Sequence, residues 1–214
     1  RRETVSVEPF QPVDMAPFYN ALPFTLTGAQ RRCVEEAIAD MESGKPMNRL
    51  CQGDVGSGKT MVAAACVYFC VKNGRQAALM APTELLAEQH YRGLAPLLER
   101  LNIRCALLTG STTIKTKRSV TAQLATGEID FSIGTHALIS GGVAYADLGL
   151  VVTDEQHRFG VAQRTALAEK GEHPHTLVMS ATPIPRTLAL ILYGDLDVSV
   201  IDQLPPGRKP IETY

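Results

Sequence analysis

Residues 53–60 have the composition and the spacing of a phosphate-binding loop. Their sequence, Gly-Asp-Val-Gly-Ser-Gly-Lys-Thr, fits the pattern G-x-x-x-x-G-K-[ST]. The glycines permit backbone angles that are closed to other residues, so successive N–H groups can point inward at phosphate oxygens. Lys59 can reach the β- and γ-phosphates of a nucleotide, and the Thr60 hydroxyl can bind Mg²⁺. The residues predicted to bind the nucleotide here are Gly53, Asp54, Val55, Gly56, Ser57, Gly58, Lys59 and Thr60.

The segments on either side of this loop support that interpretation. Residues 50–52 are a short apolar run that can end a strand, and the alanine-rich residues 61–71 are apolar enough for a buried helix. The alternative is a chance glycine-rich turn, which would need neither the strand before it nor the helix after it. A strand, the loop and a helix in this order favour a nucleotide site, with the positive end of the helix dipole at the phosphates.

Two adjacent carboxylates, Asp154 and Glu155, follow an apolar strand predicted at 148–153. An acid at the end of a parallel strand near a phosphate-binding loop can bind Mg²⁺, so we assign Asp154 to the metal. Glu155 can orient or deprotonate the water that attacks the γ-phosphate. The alternative is a solvated turn that happens to contain two acids. The predicted catalytic residues are Lys59, Asp154 and Glu155.

The rest of the chain supplies the elements that must position these residues. Strands are predicted at 76–81, 104–108, 130–133, 148–153, 176–179 and 196–201, and helices at 29–41, 61–71, 84–101, 115–125 and 185–193. Alternation of this kind predicts an α/β fold, a parallel sheet with helices on both faces. Ligands of such sheets bind beyond the carboxyl ends of the strands, where the phosphate-binding loop and the turns at 82–83, 109–110 and 135–136 fall.

Composition limits the partners and the setting of the chain. Its 214 residues suit one domain, and a formal net charge of -1 means that any nucleic acid must be bound by local loops and helix ends. No N-terminal signal and no apolar run of 18 residues is present, so neither secretion nor membrane spanning is predicted. Together with an odd number of cysteines, this favours a cytoplasmic protein.

Cys66 and Cys70 are one helical turn apart, which leaves two interpretations open. Two thiols at this spacing could bind a metal ion. Without a nearby histidine or further cysteines, they more often serve as small residues of a hydrophobic core. We therefore predict no metal site at these two cysteines.

The two ends of the chain differ in composition from its middle. Residues 1–22 contain three prolines and no sustained period, which predicts an irregular lead-in from a preceding region, with one short helical turn. Residues 202–214 have the proline content of a connector toward a further domain. The predicted organisation is a lead-in at 1–22, a nucleotide-binding lobe at 23–201 and a linker at 202–214.

Residues 23–213 resemble the first motor lobe of superfamily 2 helicases, and in particular the RecG family of bacterial DNA helicases. Residues 24–30 resemble the Q motif, which implies that Phe24 and Gln30 contact adenine. Spacing alone favours the commoner use of Gln30 as a solvent-facing helix residue, although its amide has the donor and the acceptor that an adenine edge requires. Residues 53–60 match motif I, which implies ATP and Mg²⁺ as cofactors.

Three loops resemble the motifs with which these helicases contact a nucleic-acid strand. They are 81–87, 109–111 and 134–137. The resemblance implies DNA contact at Pro82, Thr83, Glu84, Thr109, Gly110, Thr135 and His136. Loops and helix N-termini of this kind can bind backbone phosphates without reading bases. A basic cluster at Lys115, Lys117 and Arg118 could also contact DNA, but such clusters are usually solvated faces.

Two further motifs narrow the resemblance to the RecG family. Residues 154–157 resemble motif II, and both the continuation at 158–161 and the segment 180–187 are absent from generic helicases. The transcription-repair coupling translocase family shares them, but it tends to carry an acid where this chain has Gln156. The resemblance implies that Gln156, His157, Ser180 and Thr182 couple the nucleotide site to the DNA site.

The resemblance implies a RecA-like lobe that couples ATP hydrolysis to movement on branched DNA in fork rescue, recombination and repair. It also implies a monomer in which a wedge domain and a second lobe with an arginine finger lie outside these 214 residues, so that the lobe alone is nearly inactive. A switch that uses ATP only to change partners and the lobe of an RNA helicase remain as alternatives.

Overall fold

A computed structural model describes residues 5–53, 58–155, 161–181, 187, 191 and 196–202 of the chain, except the side chains of residues 155, 161 and 162. The helices are α1 (Ala16–Ala21), α2 (Gly28–Glu42), α3 (Lys59–Lys72), α4 (Glu84–Glu99), α5 (Ile114–Thr126) and α6 (Val161–Ala168), with a 3₁₀ helix at His136–Ile139. The strands are β1 (Asn48–Gly53), β2 (Gln76–Met80), β3 (Cys105–Leu108), β4 (Phe131–Gly134), β5 (Leu148–Glu155), β6 (His175–Ser180) and β7 (Asp197–Ile201).

The seven strands form one parallel sheet in the order β3-β4-β2-β5-β6-β1-β7. Helices α2, α3 and α4 pack on one face, around Phe69, Leu79 and Leu98. Helices α5 and α6 and the 3₁₀ helix pack on the other face, around Leu124 and Val151. Central strands such as β2 and β4 are buried along their whole length because both faces are covered. The predicted α/β class is confirmed.

Most of the predicted elements are present, with ends that differ by one or two residues. The helix predicted at 84–101 ends at Glu99, and Asn102 then takes a positive φ of 65° that reverses the chain toward β3. Helix α6 was not predicted, because the segment 161–168 shows no clear period in the sequence. The helix predicted at 185–193 lies outside the described residues. None of the described helices is long and apolar enough to cross a membrane.

The N-terminal segment packs against the core of the lobe. It contains the short helix α1, as the sequence predicts, but it also contributes two buried aromatic side chains to the main core. The ring centroids of Phe10 and Phe69 are 6.0 Å apart, and those of Phe18 and Tyr68 are 5.8 Å apart. Burying two phenyl rings stabilises this arrangement enough to fix a proline-rich segment. Residues 5–22 therefore pack as part of the lobe.

Cys66 and Cys70 are completely buried in α3, within the main core. Burial raises the pKa of the Cys66 thiol to about 12, so the sulfur stays protonated and behaves as a small apolar group. Among the described residues, no group of three potential metal-binding side chains is present. The assignment of these two cysteines to the core is confirmed.

His175, the first residue of β6, is a buried imidazole on which the N-terminal segment packs. It is 1% exposed, its Nδ1 accepts a hydrogen bond of 2.8 Å from the N–H of Met47, and the ring of Phe10 packs edge-on at 4.7 Å. Within the part of the chain that the structure describes, its Nε2 has no hydrogen-bond partner. Burial, helped by the charge of Arg75, lowers the pKa of His175 to about 4.

We expect the lobe to lose stability as the pH falls from about 6.5 to about 4. The unfolded chain takes up a proton on His175 near pH 6.5, whereas the folded chain resists protonation until about pH 4. The stability that this residue contributes is therefore complete above the unfolded pKa and is lost as the pH falls toward the folded one, a difference of about 3 kcal/mol. Denaturant unfolding at about pH 7.5 and about pH 4.5 measures it.

A pair of matched variants isolates the contribution of His175. His175→Asn keeps an acceptor for the Met47 N–H but cannot titrate, so most of the acid sensitivity should disappear. His173→Asn removes an exposed histidine whose φ of 48° asparagine tolerates, and it should keep that sensitivity. Equal acid sensitivity in the two variants would contradict the assignment.

Candidate nucleotide site and DNA-contact loops

The order of the strands brings the phosphate-binding loop and the two acids to one edge of the sheet. β1 ends at Gly53 and β5 ends at Glu155, and β6 lies between them. Two strand spacings separate their ends, about 10 Å. Ser180, at the end of β6, pairs with Gln52 on one side and with Glu155 on the other. It is 4% exposed and stands between the two predicted halves of the site.

Gly53 and residues 58–60 are the described ends of the predicted phosphate-binding loop. Gly58 has a φ of 86°, in the left-handed region, and α3 begins at the next residue. The Lys59 ammonium donates a hydrogen bond of 2.8 Å to the carbonyl oxygen of Gly53, so it lies across the mouth of the loop. Thr60 follows in the first turn of α3 and is partly exposed.

Gln30 lies against this loop and does not face solvent, so the interpretation that spacing alone favours is wrong. It is 1% exposed, and its Oε1 accepts a hydrogen bond of 2.8 Å from the N–H of Thr27, while its own N–H donates one of 3.1 Å to the Thr27 hydroxyl. A Cβ at Gly58 would collide with the Gln30 side-chain amide. Phe24 is 45% exposed. Contact of Phe24 and Gln30 with adenine stays a prediction.

Asp154 has a partner that the sequence did not indicate. Nε2 of His90, on α4, lies 2.6 Å from Oδ2 of Asp154, and both side chains are largely buried, with exposures of 12% and 16%. His90 lies on the inward face of α4, because the buried residues Ala87 and Leu94 stand three before it and four after it. A polar residue within that apolar stripe was the one available signal.

The loop after β2 and the loop after β3 are joined by a carboxylate. Thr83 caps α4 through its hydroxyl, which accepts a hydrogen bond of 3.2 Å from the N–H of Leu86. Glu84 accepts hydrogen bonds from Ser111, 2.9 Å from the backbone N–H and 2.6 Å from the hydroxyl. A Cβ at Gly110 would lie 3.1 Å from Oε1 of Glu84, so the loop approaches the acid closely.

Several residues predicted to contact DNA differ in their exposure. Thr109 and Thr135 are 5% and 1% exposed, and their hydroxyls accept hydrogen bonds within their own loops, from the N–H groups of Ser111 and Ala137. Gly110 and His136 are exposed at the surface, as is Thr83. Pro82 is partly exposed. DNA contact by these loops stays a prediction, and the two buried hydroxyls serve to shape them.

The basic cluster lies at the start of α5, and most residues of the coupling motifs lie outside the described part of the chain. Lys115, Lys117 and Arg118 are exposed in the first turns of α5, as a solvated face requires, and their contact with DNA stays a prediction. The remaining predicted residues lie outside the described part, as does the Glu155 side chain: Asp54, Val55, Gly56, Ser57, Gln156, His157 and Thr182.

The donor set of this edge fits magnesium-bound ATP. The carboxylate of Asp154 and the hydroxyl of Thr60 are oxygen ligands of the kind that Mg²⁺ prefers. The positive φ of Gly58, which favours glycine, and the ammonium of Lys59 beside the Gly53 carbonyl suit a phosphate chain. The side chains present at this edge therefore fit a nucleoside triphosphate and its cation.

Two curated proteins resemble this chain over most of its length. ATP-dependent DNA helicase RecG of Streptococcus pneumoniae serotype 4 is 58% identical over 193 residues, which are 90% of this chain and 28% of that protein. The protein of the same name from Bacillus subtilis is 54% identical over 205 residues, 96% of this chain and 30% of that protein. The chain thus spans less than a third of these curated relatives, and the predicted resemblance to the RecG family is confirmed.

Solved structures show the same fold. A structure of RecG bound to a three-way DNA junction superposes with a TM-score of 0.83 at 49% identity, covering 95% of this chain and 28% of that one. The DEAD-box helicase Mss116 bound to single-stranded RNA and UDP-BeF gives a TM-score of 0.69 at 17% identity, covering 89% and 43%, and shares the fold alone. The sequence profile of DEAD/DEAH box helicases matches residues 27–191, more than three quarters of the chain. The chain therefore belongs to the DEAD/DEAH box helicase family.

Proposed function

We propose that this chain is the ATP-binding motor lobe of an ATP-dependent DNA helicase that moves on branched DNA. The observation that carries the proposal is the common edge of the sheet. The phosphate-binding loop follows β1, the acids end β5, and the loops that begin at Ala81 and Thr109 follow β2 and β3. A nucleotide and a nucleic-acid strand bound at this edge would each contact loops that the same sheet holds in place.

The nucleotide half of the site works through residues with separate tasks. The Lys59 ammonium, which donates a hydrogen bond to the Gly53 carbonyl in this structure, would bind phosphate oxygens of the nucleotide instead. Asp154 and Thr60 would hold the cation, and Glu155 would orient or deprotonate the attacking water. Magnesium-bound ATP, when present, supplies the phosphoryl group and the positive charge that neutralises its oxygens.

The DNA half of the site works mainly through the backbone. The N–H groups of Glu84 and Leu85, which precede the capped Leu86 in α4, and the exposed turn at Gly110 can donate to strand phosphates without reading bases. A net charge of -1 leaves few phosphates neutralised, so these 214 residues alone should bind DNA weakly. A second motor lobe with an arginine finger and a wedge domain for the fork would supply the rest, in a monomeric protein that acts in fork rescue, recombination and repair.

Steady-state ATP turnover by the full-length protein tests the proposal. The assay compares a three-way DNA junction, single-stranded DNA and single-stranded RNA. The three nucleic acids are added at equal concentration, counted in nucleotide residues, and the ATP concentration is the same throughout. We expect the junction to stimulate turnover most. Greater stimulation by RNA would indicate an RNA helicase. An ATP turnover rate that is the same with and without each nucleic acid would indicate a nucleotide-dependent switch. Residues 1–214 assayed alone should turn over slowly, because an arginine finger contributes about 10³- to 10⁵-fold in phosphate-loop enzymes.

A further inference from the structure

The contact between His90 and Asp154 joins two parts of the lobe that the proposed function keeps separate. Asp154 belongs to the nucleotide half of the edge, at the end of β5. His90 belongs to α4, whose first turn is the proposed DNA contact, and it lies 64 residues from Asp154 in the chain. A distance of 2.6 Å between Nε2 and Oδ2 is a strong, charge-assisted hydrogen bond, in which the ring N–H donates to the carboxylate.

This hydrogen bond fixes the orientation of the carboxylate. Asp154 has two oxygens, and the one bound to His90 is held on the side of α4. The ring of His90 is itself held by its place on the inward face of α4, between Ala87 and Leu94. Partners that hydrogen-bond a metal-binding carboxylate in this way restrict its orientation, and their loss typically weakens metal binding by about 10- to 100-fold.

Helix α4 connects the two contacts rigidly. At its start, Glu84 is bound to Ser111 by two hydrogen bonds, so the first turn and the loop after β3 move together. Six residues later, about 9 Å along the helix axis, His90 reaches Asp154. Because a packed helix moves as a unit, a displacement of its first turn must also displace the ring that holds the carboxylate.

We propose that His90 is a positioning residue that orients Asp154 for the divalent cation and transmits to it the state of the DNA-contact end of α4. This inference rests on the proposed function and adds a residue and a route to it. His90 touches neither nucleotide nor DNA in this scheme. Its effect passes through Asp154 in one direction and through the helix backbone in the other.

The first test measures how much Mg²⁺ strengthens nucleotide binding. The probe is a fluorescent ADP analogue, titrated against the protein as the cell makes it, once with Mg²⁺ and once with a chelator. We expect His90→Ala to reduce the gain in affinity on adding Mg²⁺ by about 10- to 100-fold and to leave the affinity without Mg²⁺ unchanged. A purely structural role for His90 would lower both affinities together.

Two matched variants on the same helix sharpen this test. His90→Gln can place an amide N–H near the position of Nε2, so it should restore most of the Mg²⁺-dependent gain. Gln89→Ala changes the exposed neighbour of His90 and should behave as the unsubstituted protein does. An unchanged gain in His90→Ala would overturn the inference while leaving the proposed function intact.

The second test measures the coupling of the two sites. The quantity compared is the ratio of nucleotide affinities with and without a three-way DNA junction. In allosterically coupled proteins, one ligand typically changes the affinity for the other by about 5- to 150-fold. We expect His90→Ala to bring this ratio toward one, while the affinity for the junction without nucleotide stays the same. A ratio equal to that of the unsubstituted protein would overturn the transmission route. If the unsubstituted protein bound no nucleotide at all, the proposed function would fail, and this inference with it.

Discussion

Replacing Lys59 with alanine is expected to weaken the binding of magnesium-bound ATP by about 100-fold. The ammonium lies 2.8 Å from the Gly53 carbonyl, across the mouth of the phosphate-binding loop, so it can face the β- and γ-phosphates. Hydrogen bonds to charged groups contribute about 1.5 to 3 kcal/mol, and the loss of about 3 kcal/mol corresponds to that change in affinity. Isothermal titration calorimetry with Mg-ATP measures it directly.

Lys72→Ala is the matched control for this variant, because Lys72 stands in the last turn of the same helix and contacts the carbonyl of Leu101 instead. It should bind Mg-ATP as the unsubstituted chain does. Thermal unfolding of both variants checks that the lobe is folded. Equal affinity in Lys59→Ala and the unsubstituted chain would show that residues 53–60 do not bind the nucleotide.

Glu155→Gln is expected to separate binding from hydrolysis. The amide keeps the shape and much of the polarity of the carboxylate but cannot accept a proton, so ATP should bind within about threefold of the normal affinity. Loss of a general base typically lowers the rate by about 10²- to 10⁴-fold. Single-turnover hydrolysis, with the protein in excess over ATP and with a three-way DNA junction present, measures the chemical step.

The control for Glu155→Gln is Glu169→Gln, which changes an exposed acid just beyond α6. Its hydrolysis rate should be unchanged. A normal rate in Glu155→Gln would assign the general base to another residue. A large loss of ATP affinity in the same variant would instead make Glu155 part of the binding site, in the manner proposed for Asp154.

Substitutions of Lys59, Glu155 and His90 are expected to change different measured quantities. Lys59 should act on nucleotide affinity with or without the cation, and Glu155 should act on the rate alone. His90 should act only on the gain in affinity that Mg²⁺ brings and on its response to DNA. Three variants of one edge of the sheet therefore give three distinguishable results, and none depends on the assignment of the other two.

Sequence reasoning and structure agree most where the signal is local. The alternation of strands and helices and the acids at the end of a strand are carried by residues that are close together in the chain. Buried parallel strands are apolar runs. Capping residues and glycine mark the starts and ends of the helices between them. In the structure, Thr27 and Thr83 are the capping residues that precede α2 and α4.

The amino-acid sequence by itself indicated the α/β class, the pattern of a phosphate-binding loop at 53–60 and the two acids at the end of a strand. Only the tertiary structure decided that Gln30 contacts the loop at Gly58, that Glu84 holds Ser111 and that His90 holds Asp154. The contacts of Glu84 and of His90 depend on the strand order β3-β4-β2-β5-β6-β1-β7, which chain order does not specify. Secondary structure follows short-range periodicity, whereas contacts between loops depend on which strands pair, and that is set by the packing of the whole core.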